Sequence, residues 1–292
     1  MVKLHIKKGD EDQFLIETTV QISVEDLMKL LIPIYNGRLK VNRICSEIEM
    51  LAESGASLPP NMQGLTEEQV EELRLVDEWT EKCSPSGGYD FKRDVMGRRN
   101  GRSPSQKMKD VLLKTVKEAK EMISKKKIGE GVFVTQNTVD EALSILRGAV
   151  TIVYPMNLPP HDPIRMEFEN VEDLAGTQAS LEILNIEDSA IWWAGKEFQR
   201  GKNLQDYVGK NEKTKILCKL QKRGGGPPAR EPVVNEDERK AMMSYYYKKQ
   251  EEFKKLEKES DDEYLNSDWC DNNALKRQFQ GMTDIKWKSG FR

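Results

Sequence analysis

Cysteine and histidine are scarce in this chain, and their spacing excludes the common metal and disulfide frameworks. The 292 residues include four cysteines and two histidines. The cysteines, Cys45, Cys83, Cys218 and Cys270, stand far apart and form no C-x-x-C pair. Zinc sites and redox motifs need two such ligands a few residues apart. We therefore expect free thiols in a reducing compartment, with no metal and no cofactor.

Long apolar runs and a surplus of basic charge are also lacking. No run approaches the roughly 20 apolar residues of a membrane helix, and the first residues, MVKLHIKKGD, lack the apolar stretch of a signal peptide. The 46 basic and 49 acidic residues give a net charge of -3, whereas a nucleic-acid binder carries a clustered positive excess. The sequence therefore predicts an intracellular protein that binds neither membranes nor nucleic acid.

Catalytic motifs are a third absence. A phosphate-binding loop needs a hydroxyl residue directly after its Gly-Lys pair, but the three Gly-Lys pairs here precede Glu197, Asn203 and Asn211. Residues 213–221, after the last pair, alternate apolar and polar side chains, which predicts a strand where a phosphate site needs a helix N-terminus. We predict that the chain is not an enzyme. The opposing hypothesis, a phosphate-utilising enzyme, requires saturable nucleotide binding that is lost on changing Lys210.

The chain begins in the manner of a ubiquitin-like fold. Residues 2–7 and 13–20 alternate apolar and polar side chains on either side of a Gly-Asp turn, which predicts a β-hairpin. A helix follows, whose last turn Pro33 should disturb and which Asn36-Gly37 should end. Strand, strand, helix is the opening order of that fold.

Further strands are predicted only after a long gap. Strand signals return at residues 149–154 and 164–168, and Trp192-Trp193 is predicted to lie on one side of a helix packed on the sheet. The predicted fold class is α+β. Residues 1–223 are predicted to form a ubiquitin-like (β-grasp) sheet, interrupted by a helical insertion at about 41–147.

A long loop, residues 83–105, is rich in Gly, Ser, Pro and Arg, and a loop of this length is usually functional or disordered. The basic stretch RRNGRSPSQKMK, residues 98–109, could contact an anionic surface such as nucleic acid or the acidic face of a tubulin lattice. Ser103 among its arginines could accept phosphate. The alternative is a solvated lead-in to the amphipathic helix behind it.

The composition changes after a glycine-proline tract, residues 224–232, which predicts a linker. Residues 233–260 are predicted to form a long charged helix with a narrow apolar seam, and residues 261–292 an extended aromatic tail. Large aromatics dominate interface hot spots, so the tail resembles an anchoring segment for a partner. Its alternative is to fold back on its own body. The partner-binding candidates are Tyr264, Trp269, Leu275, Phe279 and Trp287.

Eight distinctive phrases occur in one order along the chain: YNGRLKV, LPPNMQGLT, KCSPSGG, GRRNGRSP, RGAVTIVYPMNLPPHDPIRMEFEN, DYVGKNEKTKI, PPAREP and YLNSDWCDNNALKRQF. In these phrases the chain resembles the Kurly family of cilia- and flagella-associated proteins. The resemblance runs from the first strand to the penultimate tryptophan.

The resemblance implies a non-enzymatic protein that is needed for motile cilia. It implies a part in the assembly of axonemal outer dynein arms and in cilium polarity, in the cytoplasm, the cytoskeleton and the basal body. The implied partners are dynein-arm preassembly factors and a Dishevelled-type polarity scaffold, with dynein arm or doublet proteins as further candidates. Our hypothesis is that the folded body holds one partner while the charged helix and tail hold another. The alternative is a structural component resident on the axonemal doublet microtubule.

Overall fold

The computed structural model describes residues 1–229, 236–266 and 273–281. The chain divides into two units, Met1–Arg230 and Glu231–Arg292. The elements of the described residues are, in chain order, β1 (Val2–Lys8), β2 (Glu11–Thr18), α1 (Val24–Ser54), α2 (Glu67–Glu72), α3 (Trp79–Lys82), β3 (Tyr89–Phe91), β4 (Arg102–Pro104), α4 (Gln106–Met122), α5 (Lys127–Glu130), α6 (Gln136–Val153), α7 (Pro163–Glu169), α8 (Gln178–Glu182), β5 (Ser189–Trp193), β6 (Lys196–Glu197), α9 (Gln205–Val208), β7 (Lys215–Lys222), α10 (Glu236–Asn266) and α11 (Ala274–Phe279). The chain is therefore a mixed α/β protein.

A mixed five-stranded sheet lies at the centre of the first unit, with the strand order β2-β1-β7-β5-β6. Strand β1 pairs antiparallel with β2 and parallel with β7, and β5 is antiparallel to β7 and to β6. The first and the last strand along the chain, β1 and β7, are thus adjacent in the interior of the sheet. The predicted N-terminal hairpin, with Gly9 at a positive φ of 61° in its turn, and the strand predicted at 213–221 are both confirmed.

Helix α1 is longer than predicted, because the stop signal at Asn36-Gly37 serves tertiary contacts instead. The Asn36 side chain donates to the Leu184 carbonyl at 2.8 Å and accepts its N–H at 3.1 Å. A Cβ on Gly37 would lie 2.6 Å from Val139 Cγ1, so glycine here permits α6 to approach α1. The helix also runs through Pro33 and ends at Ser54. The prediction of a break near residue 37 was wrong.

The strands predicted at 149–154 and 164–168 are helical. Most of the first lies in α6, where Leu146, Ala149, Val150 and Val153 are buried on one helical face. The second lies in α7, whose N-cap Asp162 accepts the Ile164 N–H at 3.0 Å. Short apolar runs fit a buried helix face as well as a strand, and here packing against the other helices decides.

Trp192-Trp193 lies in strand β5 and not in a helix, so that prediction was also wrong. The next two residues, Ala194 and Gly195, both have positive φ, 47° and 77°. They join Trp193 to Lys196 as a two-residue hairpin turn, a geometry that matches the twist of paired strands. The Gly-Lys pair at this point is therefore part of a turn between β5 and β6.

The sheet is interrupted by a longer segment than predicted. Strand β2 ends at Thr18 and β5 begins at Ser189, so residues 19–188 replace the predicted insertion at about 41–147. Helices α1, α4 and α6 pack against one another and share one hydrophobic core with the sheet. In β1 the alternate residues Val2, Leu4 and Ile6 enter that core and are fully buried.

The second unit contains α10, which continues past residue 260 to Asn266. The helix does not end at residue 260 as predicted, because no glycine or proline occurs between residues 236 and 266 to end it. Part of the tail predicted to be extended also forms helix α11. These two helices replace the first residues and the middle of the predicted tail.

Candidate partner-binding surfaces

The five partner-binding candidates from the sequence are only partly described. Tyr264 lies in α10 and Leu275 in α11, and for both only the backbone is described. Phe279 ends α11 with 53% of its surface exposed. Trp269 and Trp287 lie outside the described residues. Phe279 is thus the one candidate whose side chain is described, and the grouping of the five as one site stays a prediction.

Helix α10 carries an exposed apolar stripe that the sequence showed only as a narrow seam. Every side chain of residues 237–258 is exposed. At about 100° per residue, five apolar positions fall within one 100° sector of the helix surface. Their exposed fractions lie between 54% and 67%. We call this surface the α10 stripe, and it consists of Met242, Tyr245, Tyr246, Phe253 and Leu256.

The α10 stripe is suited to contact a partner because its side chains are large and partly rigid. The rings of Tyr245 and Tyr246 meet edge to face, with centroids 6.1 Å apart. Lys249 interrupts the stripe between its two halves. Aromatic side chains supply much contact area at a low cost in conformational entropy. An apolar face on a helix of this length is typical of helix-in-groove or helix-on-helix recognition.

A second surface lies on the body, where the predicted loop 83–105 is ordered. Two N–H groups fasten it to the end of α1, Asn100 to the Ala56 carbonyl and Gly101 to the Ser54 carbonyl, both at 2.9 Å. A Cβ on Gly55 would lie 2.4 Å from a backbone oxygen of this loop, so a glycine is required where α1 ends. The loop contains the hairpin β3–β4, which the sequence analysis missed. The signal available was the alternation of Tyr89 and Phe91.

The basic stretch 98–109 was predicted either to contact an anionic surface or to be solvated. Two of its residues, Arg99 and Ser103, are buried and fit neither prediction. Arg99 is buried, and its guanidinium donates to the Glu47 carboxylate at 2.6 Å and to the Gly55 carbonyl at 2.8 Å. Ser103 is buried as well, and its hydroxyl donates to the Asp90 carbonyl at 2.9 Å. A kinase could not reach that hydroxyl in the folded chain. These two residues hold the loop in place.

Two segments distant in the sequence hydrogen-bond to the loop or to each other beside it, and both belong to the eight phrases listed above. The Leu58 N–H donates to the Arg98 carbonyl at 2.9 Å, which joins LPPNMQGLT to GRRNGRSP. The buried Asp162 of RGAVTIVYPMNLPPHDPIRMEFEN accepts the N–H of Ser57 at 2.9 Å. The His161 ring nitrogen lies 3.0 Å from the Ser57 carbonyl. Hydrogen bonds therefore join the loop, residues 57–58 and residues 161–162, and we call this network the loop base.

Above this base, the hairpin exposes four large apolar side chains. Their exposed fractions are 48% for Tyr89, 72% for Phe91, 100% for Val95 and 69% for Met96. We call these four residues the hairpin patch. Single exposed apolar residues need no explanation, but a group of four on one hairpin indicates an interaction site.

The open face of the sheet carries a cleft of about 360 Å³ near Lys3, His5, Phe133 and Lys215. The Lys3 ammonium lies 5.1 Å from the Phe133 ring centre, and His5 Nε2 lies 2.9 Å from an Asp12 carboxylate oxygen. Lys3 and His5 thus each have a neighbour that orients them. The two histidines of the chain stay apart, since His161 belongs to the loop base.

The thiols have environments that oppose nucleophilic chemistry. Cys45, Cys83 and Cys218 are buried and free, as predicted, while Cys270 lies outside the described residues. Burial raises the pKa of Cys45 to about 11 and that of Cys218 to about 12. Burial also raises the pKa of the Cys83 thiol. Reactive cysteines have lowered pKa values and partial exposure.

The described parts of the chain also lack a cluster of metal-binding side chains and a membrane-spanning helix. Residues 1–229, 236–266 and 273–281 contain no group of three or more His, Cys, Asp or Glu side chains that could hold a metal ion. In the same ranges, no helix combines the length and the apolar character needed to span a bilayer.

Comparison with known proteins gives a consistent result over nearly the whole chain. A family model described as Cilia- and flagella-associated protein 298 matches residues 189–285. The chain is 64% identical over 287 residues to Cilia- and flagella-associated protein 298 of Danio rerio, covering 98% of this chain and 99% of the relative. It is 62% identical to protein 298-A of Xenopus laevis and 60% identical to protein 298 of Homo sapiens, each over 288 residues.

These two relatives are also covered almost fully, at 99% of each chain. No solved structure matches the chain. Identity of this size over the full length of the relatives is decisive, and it agrees with the resemblance found in the eight phrases. The chain belongs to the family of Cilia- and flagella-associated protein 298.

Proposed function

We propose that this chain is a non-enzymatic protein of motile cilia that acts by holding other proteins together. In this proposal it takes part in the assembly of axonemal outer dynein arms and in cilium polarity. It works in the cytoplasm and at the basal body. Its partners are dynein-arm preassembly factors and a Dishevelled-type polarity scaffold. The names of the relatives, which associate them with cilia and flagella, support the general location.

The observation that carries the proposal is the α10 stripe. A helix of 31 residues whose described side chains are all exposed gains little stability from its own burial. Natural surfaces rarely leave so many aromatic and aliphatic groups on one helix face without a use. The α10 stripe therefore supports a partner-binding role, and the buried, weakly acidic thiols of the body support a non-enzymatic one.

The proposal extends to the fold of the sheet, which we infer to be ubiquitin-like. Three features support this inference. The first and last strands, β1 and β7, pair in parallel; the hairpin β1–β2 forms one edge of the sheet; and the long helix α1 follows this hairpin. An experimental structure compared with ubiquitin-fold domains tests it. A sheet order other than β2-β1-β7-β5-β6 would remove the inference.

The experiment for the partner role compares the two faces of α10 in ciliating cells. The double variant Phe253→Ala with Leu256→Ala removes two of the five side chains of the α10 stripe. The matched control, Tyr247→Ala, removes an aromatic side chain of similar exposure, 65%, from another face. We expect recovery of dynein-arm preassembly factors to fall about tenfold or more for the double variant and to stay unchanged for the control.

Equal recovery of preassembly factors with the parent, the double variant and the Tyr247→Ala control would show that the α10 stripe does not bind them. High-salt extraction of isolated axonemes separates the proposal from the alternative of a resident doublet component. An assembly protein is found mostly in the soluble cytoplasmic fraction, because its contacts with the axoneme are transient. Retention of most of the protein on the extracted lattice would favour the resident component.

A further inference from the structure

The outer edge of β3, on the side away from β4, pairs with no strand of the described residues. Within the described residues, β4 is the only strand that pairs with β3, in a two-stranded sheet. Asp90 lies opposite Ser103, and the Lys92 N–H donates to the Gly101 carbonyl at 2.7 Å. In an antiparallel pair the hydrogen-bonded positions alternate. The backbone groups of the intervening Phe91 therefore point away from β4, toward the open edge.

The same edge carries the two aromatic residues of the hairpin patch, and both are held in place. The Arg102 guanidinium lies 4.9 Å from the Tyr89 ring centre. A Cβ on Gly101 would lie 3.1 Å from the Phe91 ring, so the missing side chain lets this ring settle on the backbone of the neighbouring segment. The attachment of Gly101 to the end of α1 fixes the hairpin itself. A rigid edge of this kind loses little entropy on binding.

The charge around the edge is positive, although the chain as a whole is acidic. Residues 89–102 contain five basic and two acidic side chains, a local charge of +3, against -3 for the whole chain. The Asp94 carboxylate is turned inward and accepts the N–H groups of Met96, Arg98 and Arg99 at 2.9 to 3.1 Å.

Two neighbouring carboxylates, Glu47 and Glu53, offset part of this positive charge. Glu47 pairs with the buried Arg99, and Glu53 lines the same small cleft as Arg98. Lys92 stays on the exposed side of the hairpin, next to Phe91. Strand β3 therefore presents two aromatic side chains with the exposed Asp90 between them, and the exposed Lys92 directly after them.

We propose that the open edge of β3 binds an extended, acidic segment of a partner protein by strand addition. The segment adds a third strand beside β3 through backbone hydrogen bonds. Its apolar side chains contact Tyr89 and Phe91, and its acidic side chains lie near Lys92 and Arg98. This inference rests on the proposed function, because it assigns the body's half of the two-surface mechanism.

A defined peptide tests the proposal with the full chain. The probe is a ten-residue, capped and fluorescein-labelled peptide in which Val-Thr-Val-Thr is flanked on each side by three glutamates. The control peptide carries lysines in place of the glutamates. Fluorescence anisotropy at low salt should show saturable binding of the acidic probe and at least about tenfold weaker binding of the lysine peptide. Equal affinity for the two peptides, or no binding of the acidic one, would overturn the proposal.

Two matched phenylalanine variants locate the site. Phe91 and Phe253 have similar exposed fractions, 72% and 62%. We expect Phe91→Ala to raise the Kd of the acidic probe about tenfold or more and Phe253→Ala to leave it unchanged. Lys92→Glu, which leaves the aromatic edge intact, should weaken binding as well. An unchanged thermal unfolding midpoint for the variants excludes loss of the fold as the cause.

Backbone methylation of the probe distinguishes strand addition from simple charge attraction. N-methyl groups on the two valines and on the two threonines block opposite edges of the same extended peptide. We expect one of these two peptides to lose binding and the other to keep it. Loss in both, retention in both, or displacement of the probe by single-stranded DNA would contradict strand addition. Self-association of the chain through this edge would contradict it too.

The two proposals fail in different ways. The Phe91 variant should leave recovery through the α10 stripe unchanged, while the Phe253 variant should leave probe binding unchanged. Loss of probe specificity with intact recovery through the α10 stripe would remove only the strand-addition site. The opposite result would remove only the proposed role of α10.

Discussion

Helices α1 and α10 have the same length, 31 residues, and opposite surroundings. Helix α1 buries fourteen residues in the core of the first unit. In α10 every side chain of residues 237–258 is exposed. Length therefore does not distinguish a structural helix from an interaction helix. The distinction lies in the apolar face and in what covers it.

The comparison also explains where the chain's stability and its contacts reside. A helix that shares the core is stabilised by burial of about 25 cal/mol for each Å² of apolar surface. A helix that remains exposed depends on its own hydrogen bonds and on side-chain pairs worth a few tenths of a kcal/mol each. The side chains of the α10 stripe are exposed, so their apolar surface is available for binding.

The largest expected difference between the two helices comes from removing one leucine side chain from each. Leu51 in α1 is fully buried, whereas Leu256 in α10 is 59% exposed. We expect Leu51→Ala to lower the free energy of unfolding by about 2 to 5 kcal/mol, through lost burial and a cavity. Leu256→Ala should change it by less than about 0.5 kcal/mol. Urea denaturation followed by circular dichroism measures both, and equal losses would break the comparison.

A smaller effect is expected where α1 touches α6. Gly37→Ala should cost about 1 to 3 kcal/mol, because the new Cβ overlaps Val139. A Cβ added to Gly148 in α6 would have no atom within 4 Å, so Gly148→Ala should stabilise the helix by about 0.5 to 1 kcal/mol.

The second substitution Val139→Ala provides the control for this contact. It should recover part of the loss caused by Gly37→Ala, since it removes the methyl group that the new Cβ meets. A Gly37→Ala protein as stable as the parent would mean that α1 and α6 are not packed as closely as described. Thermal unfolding of the parent, the two single variants at Gly37 and Val139 and their double variant measures the coupling between these residues.

The smallest effect concerns the pH dependence of stability. Burial in α1 raises the pKa of Cys45 to about 11, above that of a thiol in the unfolded chain, so the folded state favours the protonated thiol. This contribution to stability is complete below the unfolded pKa and is lost as the pH rises toward about 11. The free energy of unfolding of the parent should therefore fall more steeply between pH 8 and 10 than that of Cys45→Ala. Parallel curves would show that burial does not suppress ionisation of this thiol.

Several elements were predictable from local pattern alone. The hairpin β1–β2 follows from strict alternation around a glycine turn, and β7 follows from the same alternation. The glycine-proline tract predicts where the body ends and the charged helix starts, and this boundary stays a prediction. For α10 the apolar seam was visible as a spacing. In each case neighbouring residues carry the information, so no knowledge of the rest of the fold is needed.

Other elements depended on partners distant in the sequence. Asn36-Gly37 is a stop signal by itself, but Leu184 and Val139 occupy both residues and α1 continues. Trp192-Trp193 is compatible with a helix until β7 and β6 pair with it. For residues 83–105 the composition predicted only a loop. The hydrogen bonds of this segment to the end of α1 fix it as a hairpin.

The sequence by itself determined the mixed fold class, the family and the absence of the common catalytic motifs, because these depend on short patterns and on the order of phrases. The tertiary structure alone decided where α1 ends, which strands complete the sheet and which apolar groups remain exposed. The physical reason is that burial and strand pairing are properties of two segments at once. A surface for partners is defined by what the rest of the chain leaves uncovered, and no single segment contains that information.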